Sequence, residues 1–163
     1  MICLIGFMGS GKTTIGQELS KVLNTNWIDL DTYIEEMASK SIPEIFKEEG
    51  EAYFRQLEQE ALQKLVTKEG ILSTGGGVIT TLQNIKVLQK NCTIYLKYSF
   101  DTLYKRIAGD ENRPLVTSYE DLKTRFLSRL DLYEKAGQVK IDCEGKSINE
   151  IIQEIITYLE KVS

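Results

Sequence analysis

A parallel β-sheet with helices on both faces is the architecture this sequence predicts, and three observations predict it. Five short apolar runs alternate with helical patterns along the chain. Alternation of that kind builds parallel sheets, because each crossover helix must cover a face of the sheet. A glycine-rich turn lies directly between the first apolar run and the first helical stretch. The chain has 163 residues, 42% of them hydrophobic and 27% charged, which suits one domain with a real core.

Taken in order, residues 2–5 (ICLI) are short, apolar and uncharged, and read as a first strand. They lack the basic start and long apolar stretch of a signal peptide, so the cytoplasm is the expected location. The first helix is expected over 12–23, a second strand over 27–30 and a helix over 32–39. Further helices are expected over 43–49 and 51–67, divided by Gly50. A third strand at 70–73 ends in Thr74, Gly75, Gly76 and Gly77. A helix at 82–88, a strand at 93–96 and a helix at 100–108 follow. Residues 109–118 (GDENRPLVTS) fit no regular element and hold one of only two prolines. A polar loop of that length inside a compact domain is usually functional or disordered. A helix over 119–136, a strand over 139–141 and a helix over 148–161 complete the chain. In such a fold, ligands bind at the carboxyl ends of the strands.

Composition excludes several classes of function. Net charge is −4, from 20 basic and 24 acidic residues, which disfavours binding to nucleic acid or an anionic membrane. No apolar run approaches the roughly 20 residues of a membrane span. Cys3, Cys92 and Cys143 are odd in number and lie in or beside strand-like runs, as buried thiols do. With no histidine, imidazole is unavailable as acid, base or metal ligand. Arginine is scarce: Arg55, Arg106, Arg113, Arg125 and Arg129 are all there are. Each is therefore worth tracking, because the guanidinium grips phosphate and carboxylate bidentately.

Residues 6–13 (GFMGSGKT) match G-x-x-x-x-G-K-[ST], with Gly9, Ser10 and Gly11 before Lys12 and Thr13. Glycines let backbone N–H groups curl around phosphate oxygens while the following helix aims its positive end at them. Lys12 reaches the transferred phosphate and the Thr13 hydroxyl ligates Mg2+. This is a nucleotide-binding signature. A switch GTPase would need an Asn-Lys-x-Asp stretch, which is missing, and the size fits a small-molecule kinase.

The acceptor side reads from three stretches. Asp29 and Asp31 are two apart, so on a strand both face one side, toward the phosphate loop. One carboxylate near Mg2+ and one near an acceptor hydroxyl suits phosphoryl transfer to an alcohol. Capping of the helix that Thr32 opens is the plainer reading of Asp31. In residues 50–58 (GEAYFRQLE), Arg55 and Glu58 share a helical face, and we read Arg55 as a carboxylate clamp held by Glu58. Gly75, Gly76 and Gly77 expose bare backbone at the sheet's carboxyl edge, where N–H groups can touch a ligand. A turn alone would need one or two glycines.

These residues together resemble the shikimate kinase family. The resemblance spans nearly the whole chain. It rests on residues 6–13 followed by Thr14 and Gly16, on Asp29-x-Asp31, and on Ile45–Phe46 before GEAYFRQLE. It continues through Thr74 to Gly77, Arg113-Pro114-Leu115 and Arg129-x-x-x-Tyr133. It implies a three-layer α/β P-loop kinase fold, a five-stranded parallel sheet of order 2-3-1-4-5 flanked by helices, with a mobile lid at about 109–118. One kinase domain would cover 1–163, with the shikimate-binding helical region at about 31–60. The implied reaction transfers the γ-phosphate of ATP to the 3-hydroxyl of shikimate, on the way to chorismate and the aromatic amino acids.

The resemblance also implies roles. Gly9 to Thr14 and Arg106 serve ATP, with Arg106 along the adenine. Thr13 and Asp29 serve Mg2+, the latter through water. Asp31 holds the shikimate hydroxyls and is the candidate base. Arg55 and Arg129 bind the shikimate carboxylate, the backbone of Gly75 to Gly77 lines that pocket, and Arg113 reaches from the lid to the transferring phosphate. The substrates implied are shikimate and ATP, with no nucleic acid or membrane and a monomeric state. Residues 142–147 carry no proline, where the family's adenine loop often has one. Two other readings stand beside this one: a kinase for another hydroxylated acid such as gluconate, and an ATP-binding protein without turnover. A kinase acting on nucleic acid is disfavoured by the acidic balance.

Overall fold

The structure is a computed structural model that describes residues 1–109 and 118–162. Five parallel strands form one sheet: β1 (Ile2–Ile5), β2 (Trp27–Asp29), β3 (Ile71–Ser73), β4 (Cys92–Lys97) and β5 (Val139–Asp142). Their order is β2-β3-β1-β4-β5, as expected. The helices are α1 (Lys12–Val22), α2 (Leu30–Ala38), α3 (Ile42–Glu49), α4 (Glu51–Leu65), α5 (Leu82–Gln89), α6 (Phe100–Ala108), α7 (Tyr119–Ala136) and α8 (Ile148–Val162). A single 3-10 turn, Val78–Thr80, follows the triple glycine. No described helix is long and apolar enough to cross a membrane.

The period-2 alternation of the strands divides the core into two layers. Leu4, Ile94, Leu96 and Ile141 face α1 and α8, meeting Ile15, Leu19, Ile151 and Ile155. Cys3, Ile5, Leu72 and Tyr95 face the other side, meeting Leu62, Leu103, Phe126 and Tyr133. Cys3 and Cys143 are buried and all three thiols are free, as the sequence suggests.

Helix starts follow local chemistry. Ser41, Ser99 and Ser118 each accept a hydrogen bond from the N–H three residues on, opening α3, α6 and α7. Gly50, at φ 88° and ψ 169°, ends α3 and begins α4 within one residue.

One expectation is corrected. The second strand does not run to Leu30. It stops at Asp29, whose carboxylate caps α2 by accepting from the Thr32 N–H at 3.2 Å and the Thr32 hydroxyl at 2.6 Å. The capping role foreseen for Asp31 thus belongs to Asp29. Asp31 lies in the first turn of α2, so its direction is set by the helix rather than by strand alternation.

Candidate active site

β1 sits between β3 and β4, so the chain leaves the sheet in opposite directions on its two sides. A crevice opens at such a switch point, outside the carboxyl ends of the strands. Here it is a cleft of about 660 Å³. One wall is the phosphate loop and the start of α1, with Gly9, Gly11, Lys12, Thr13 and Thr14. The other carries Asp29, Asp31, Arg55, Glu58 and Gly75 to Gly77. Arg106, Arg125 and Arg129 line it as well, so every described arginine faces one cleft in a chain of net charge −4.

The amino end of α1 is built for an anion. Its cap, Gly11, holds φ at 83°, a left-handed conformation that favours glycine. No side chain caps this end and its first turn has no acidic residue, whereas α2, α3, α4, α6, α7 and α8 each carry one. The N–H groups of this first turn and the positive end of the helix dipole face the cleft. Lys12 is buried, and its ammonium donates to the carbonyls of Gly6 at 2.6 Å and Phe7 at 3.1 Å. Of the residues from Gly9 to Thr14, Ser10 alone is placed apart from the cleft. It is buried, and its N–H donates to the Phe7 carbonyl at 3.2 Å, closing the loop on itself.

Asp31 is held among charges of both signs. Burial pushes its carboxyl above the ordinary value, the neighbouring Asp29 adds to this, and Lys12 and Arg55 pull it back. A group so arranged is a candidate acid–base. Arg55 donates from Nη1 to Glu58 Oε1 at 2.9 Å and crosses the Phe54 ring at 5.1 Å. Glu58 is 1% exposed, and burial pushes its carboxyl up more than Arg55 pulls it down. The guanidinium is therefore fixed along one edge, while Nη2 lies 3.6 Å from the exposed Glu51 carboxylate, a loose pair that a ligand carboxylate can replace. Arg129 is half-buried, and burial, Arg125 and Arg55 press its pKa down.

The triple glycine is explained by close approach. A Cβ on Gly75 would lie 2.9 Å from Asp31 Oδ1, and one on Gly77 would lie 2.7 Å from Arg55 Nη1. Gly76 differs: a Cβ there would meet nothing nearer than 3.5 Å. Two of the three glycines thus make room for the two side chains that the sequence marks for the acceptor.

Several contacts of the site were not foreseen. Ser73 accepts from the indole N–H of Trp27 at 2.9 Å and donates to the Lys12 carbonyl at 2.6 Å, pinning α1 to β3. Arg106 lies over the Tyr98 ring at 4.2 Å and donates to the Gly9 carbonyl at 3.2 Å. Glu144 reaches across to α6, accepting from the Ser99 N–H at 3.0 Å and from the Thr102 hydroxyl. Arg125, to which the sequence assigns no role, is exposed and lines the cleft. The scarcity of arginine was the available signal for Arg125; the other contacts span distant parts of the chain. Arg113 and most of the expected lid lie outside the described residues.

Comparison with known proteins agrees with this geometry. The shikimate kinase family model matches residues 8–160. A shikimate kinase of Sulfurihydrogenibium sp. (strain YO3AOP1) is 37% identical over 98% of both chains. The solved shikimate kinase from Acinetobacter baumannii in complex with shikimate superposes with a TM-score of 0.90 at 32% identity, covering 99% of this chain and 93% of that one. A gluconokinase from Sinorhizobium meliloti 1021 reaches 0.68 at 15% identity, which shows a shared fold alone. With a family match over almost the entire length and a relative of equal extent, the chain belongs to the shikimate kinase family.

Proposed function

We propose that this kinase transfers the γ-phosphate of ATP to the 3-hydroxyl of shikimate with Asp31 at the point of transfer. The observation that carries this reading is one cleft in which the anion-binding start of α1 faces Asp31, Arg55 and the triple glycine. The loop from Gly9 to Thr14 and the amino end of α1 hold the phosphates. Arg55 and Arg129 bind the acceptor's carboxylate, one fork each, against the backbone of Gly75 to Gly77. Asp31 orients the hydroxyl and takes its proton. Lys12 stabilises charge spreading over the phosphoryl group, and Arg113 has the same role by family resemblance. Arg106 serves the nucleotide from beside Gly9. Most of the rate comes from positioning, since this transfer needs little covalent help. One chain supplies all of these residues, which supports a monomer; the acidic surface supports action in the cytoplasm, away from nucleic acid and membranes.

Thr13 and Asp29 suit Mg2+, which takes hard oxygen ligands and keeps much of its water. The Thr13 hydroxyl is exposed to the cleft, and Asp29 spends only Oδ2 on its cap. When bound, the ion would neutralise charge on the phosphate oxygens. Asp29→Asn keeps a capping oxygen while removing the charge. It should raise the Mg2+ concentration for half-maximal activity by about tenfold, one charge-assisted contact, at nearly unchanged melting temperature. Asp29→Ala should in addition lose about 1 kcal/mol of stability. Unchanged Mg2+ dependence in both would remove Asp29 from the metal site.

A coupled ADP-release assay over shikimate, gluconate and no acceptor tests the function. Release that depends on shikimate alone is expected. Equal response to gluconate, or nucleotide binding without any turnover, would overturn it. Gly77→Ala tests the pocket wall, because the methyl must push the Arg55 guanidinium aside. It should raise the KM for shikimate about tenfold, equivalent to about 1.4 kcal/mol of lost contact, and spare that for ATP. Gly76→Ala meets no protein atom closely, so any effect there would act through the bound acceptor.

A further inference from the structure

One buried hydroxyl behind the cleft wall has no part in the mechanism above. Tyr133 is 0% exposed and lies one turn beyond Arg129 on α7. Its ring stacks on Tyr95, with centroids 5.1 Å apart and planes at 23°. Its hydroxyl donates to the carbonyl of Gly76 at 2.5 Å, and Arg129 Nη1 lies beside the same glycine, 3.7 Å from where a Cβ would stand. A buried tyrosine normally finds a partner for its O–H. This one takes the middle residue of three glycines, 57 positions away.

The choice of partner has a geometric consequence. A trans peptide is planar, so its C=O and N–H point in opposite directions. With the Gly76 carbonyl drawn to Tyr133, the Gly77 N–H is turned away from it. Among the described residues, the N–H groups of Gly76 and Gly77 donate to no protein acceptor. Gly77 is buried, and buried N–H groups are rarely left unpaired, so these donors suit oxygen atoms of a ligand.

We infer that Tyr133 is a positioning residue for the acceptor: its hydroxyl fixes the Gly76–Gly77 peptide in the orientation it holds beside the Arg129 guanidinium. Three glycines in a row give the backbone no side-chain restraint of its own, and the phenol supplies it from α7. This rests on the proposed acceptor pocket of Arg55, Arg129 and Gly75 to Gly77.

Tyr133→Phe keeps the ring on Tyr95 and removes only the hydroxyl. The KM for shikimate should rise about five- to thirtyfold, one to two hydrogen bonds' worth, with that for ATP within about twofold. A purely structural role would lower the melting temperature and leave the ratio of the two KM values unchanged. Arg129→Ala is the control. If it leaves shikimate KM unchanged, the acceptor-pocket reading fails. If it raises KM while Tyr133→Phe does not, that reading stands and the inference is overturned. Arg129→Lys and Tyr133→Phe should be non-additive, because both act at the Gly76 peptide; full additivity would also overturn it. A measurement on the unaltered protein covers the case of a variant that does not fold. With 15N-glycine labelling, the Gly76 and Gly77 amide resonances should move on addition of shikimate, and resonances that stay put would refute the inference.

Discussion

Replacing Asp31 by asparagine should lower turnover by about 10²–10⁴-fold while ATP still binds, the range expected for losing a positioned general base. The amide keeps the shape and some hydrogen bonding but cannot take the hydroxyl proton. The pH dependence carries a second signature. Burial first and Asp29 second push the Asp31 carboxyl above its ordinary 3.8. The acid limb of the activity profile should therefore lie above the range of an ordinary aspartate, and the residual activity of Asp31→Asn should lack that limb. The stability effect runs opposite to the activity effect. A carboxyl whose pKa is raised by folding binds its proton more tightly in the native state. Stability then falls as pH rises from the unfolded to the folded pKa, and the loss is complete above the latter. Asp31→Asn should accordingly melt higher than the wild type at neutral pH and equally at a pH below 3.8. Near-normal turnover in this variant would remove Asp31 from the chemistry.

Arg55→Ala should raise the KM for shikimate by about 10²–10³-fold, as expected when a bidentate, charge-assisted contact is lost. Arg55→Lys should recover only part of this, because an ammonium has no fork. The truncation should also weaken the fold. Glu58 is 1% exposed, its Oε1 is bound by Arg55, and its Oε2 has no protein partner. Removing one partner of a buried ion pair typically costs about 3–5 kcal/mol. Glu58 would relieve some of that by taking up a proton, so the deficit should grow as pH rises. Adding Glu58→Gln to Arg55→Ala should restore stability in urea melts without restoring shikimate KM. A KM unchanged in Arg55→Ala would show that the carboxylate is held elsewhere.

The pattern of residue types carried the fold further than it carried the site. Apolar runs and helical spacing mark every strand and α-helix, because burial has a period that a single stretch of chain displays. Strand order is different. Nothing in ICLI or ILS says which neighbour it pairs with, and the order came from resemblance. The phosphate loop, Asp31, Arg55 and Arg129 were readable since their chemistry is rare or tightly spaced. Asp29 and Asp31 were assigned to one strand because two-residue spacing fits a strand and a helix start alike until the cap is seen. Ser73 and Glu144 act through contacts made by tertiary folding, and no local pattern announces them; the Arg129-x-x-x-Tyr133 spacing marked Tyr133 but not its partner. The triple glycine was legible as bare backbone, but not its reason: the space is taken by Asp31 and Arg55, which arrive from other elements.

Trp27 is the only tryptophan in the chain, and it is half-buried. Its indole N–H ends on Ser73, whose hydroxyl ends on the carbonyl of Lys12. Indole emission responds to the hydrogen bonding and polarity around its N–H. The chain's only indole is thus linked by two hydrogen bonds to the first residue of α1. Filling of the phosphate loop is expected to change its emission, which a titration with ATP would read.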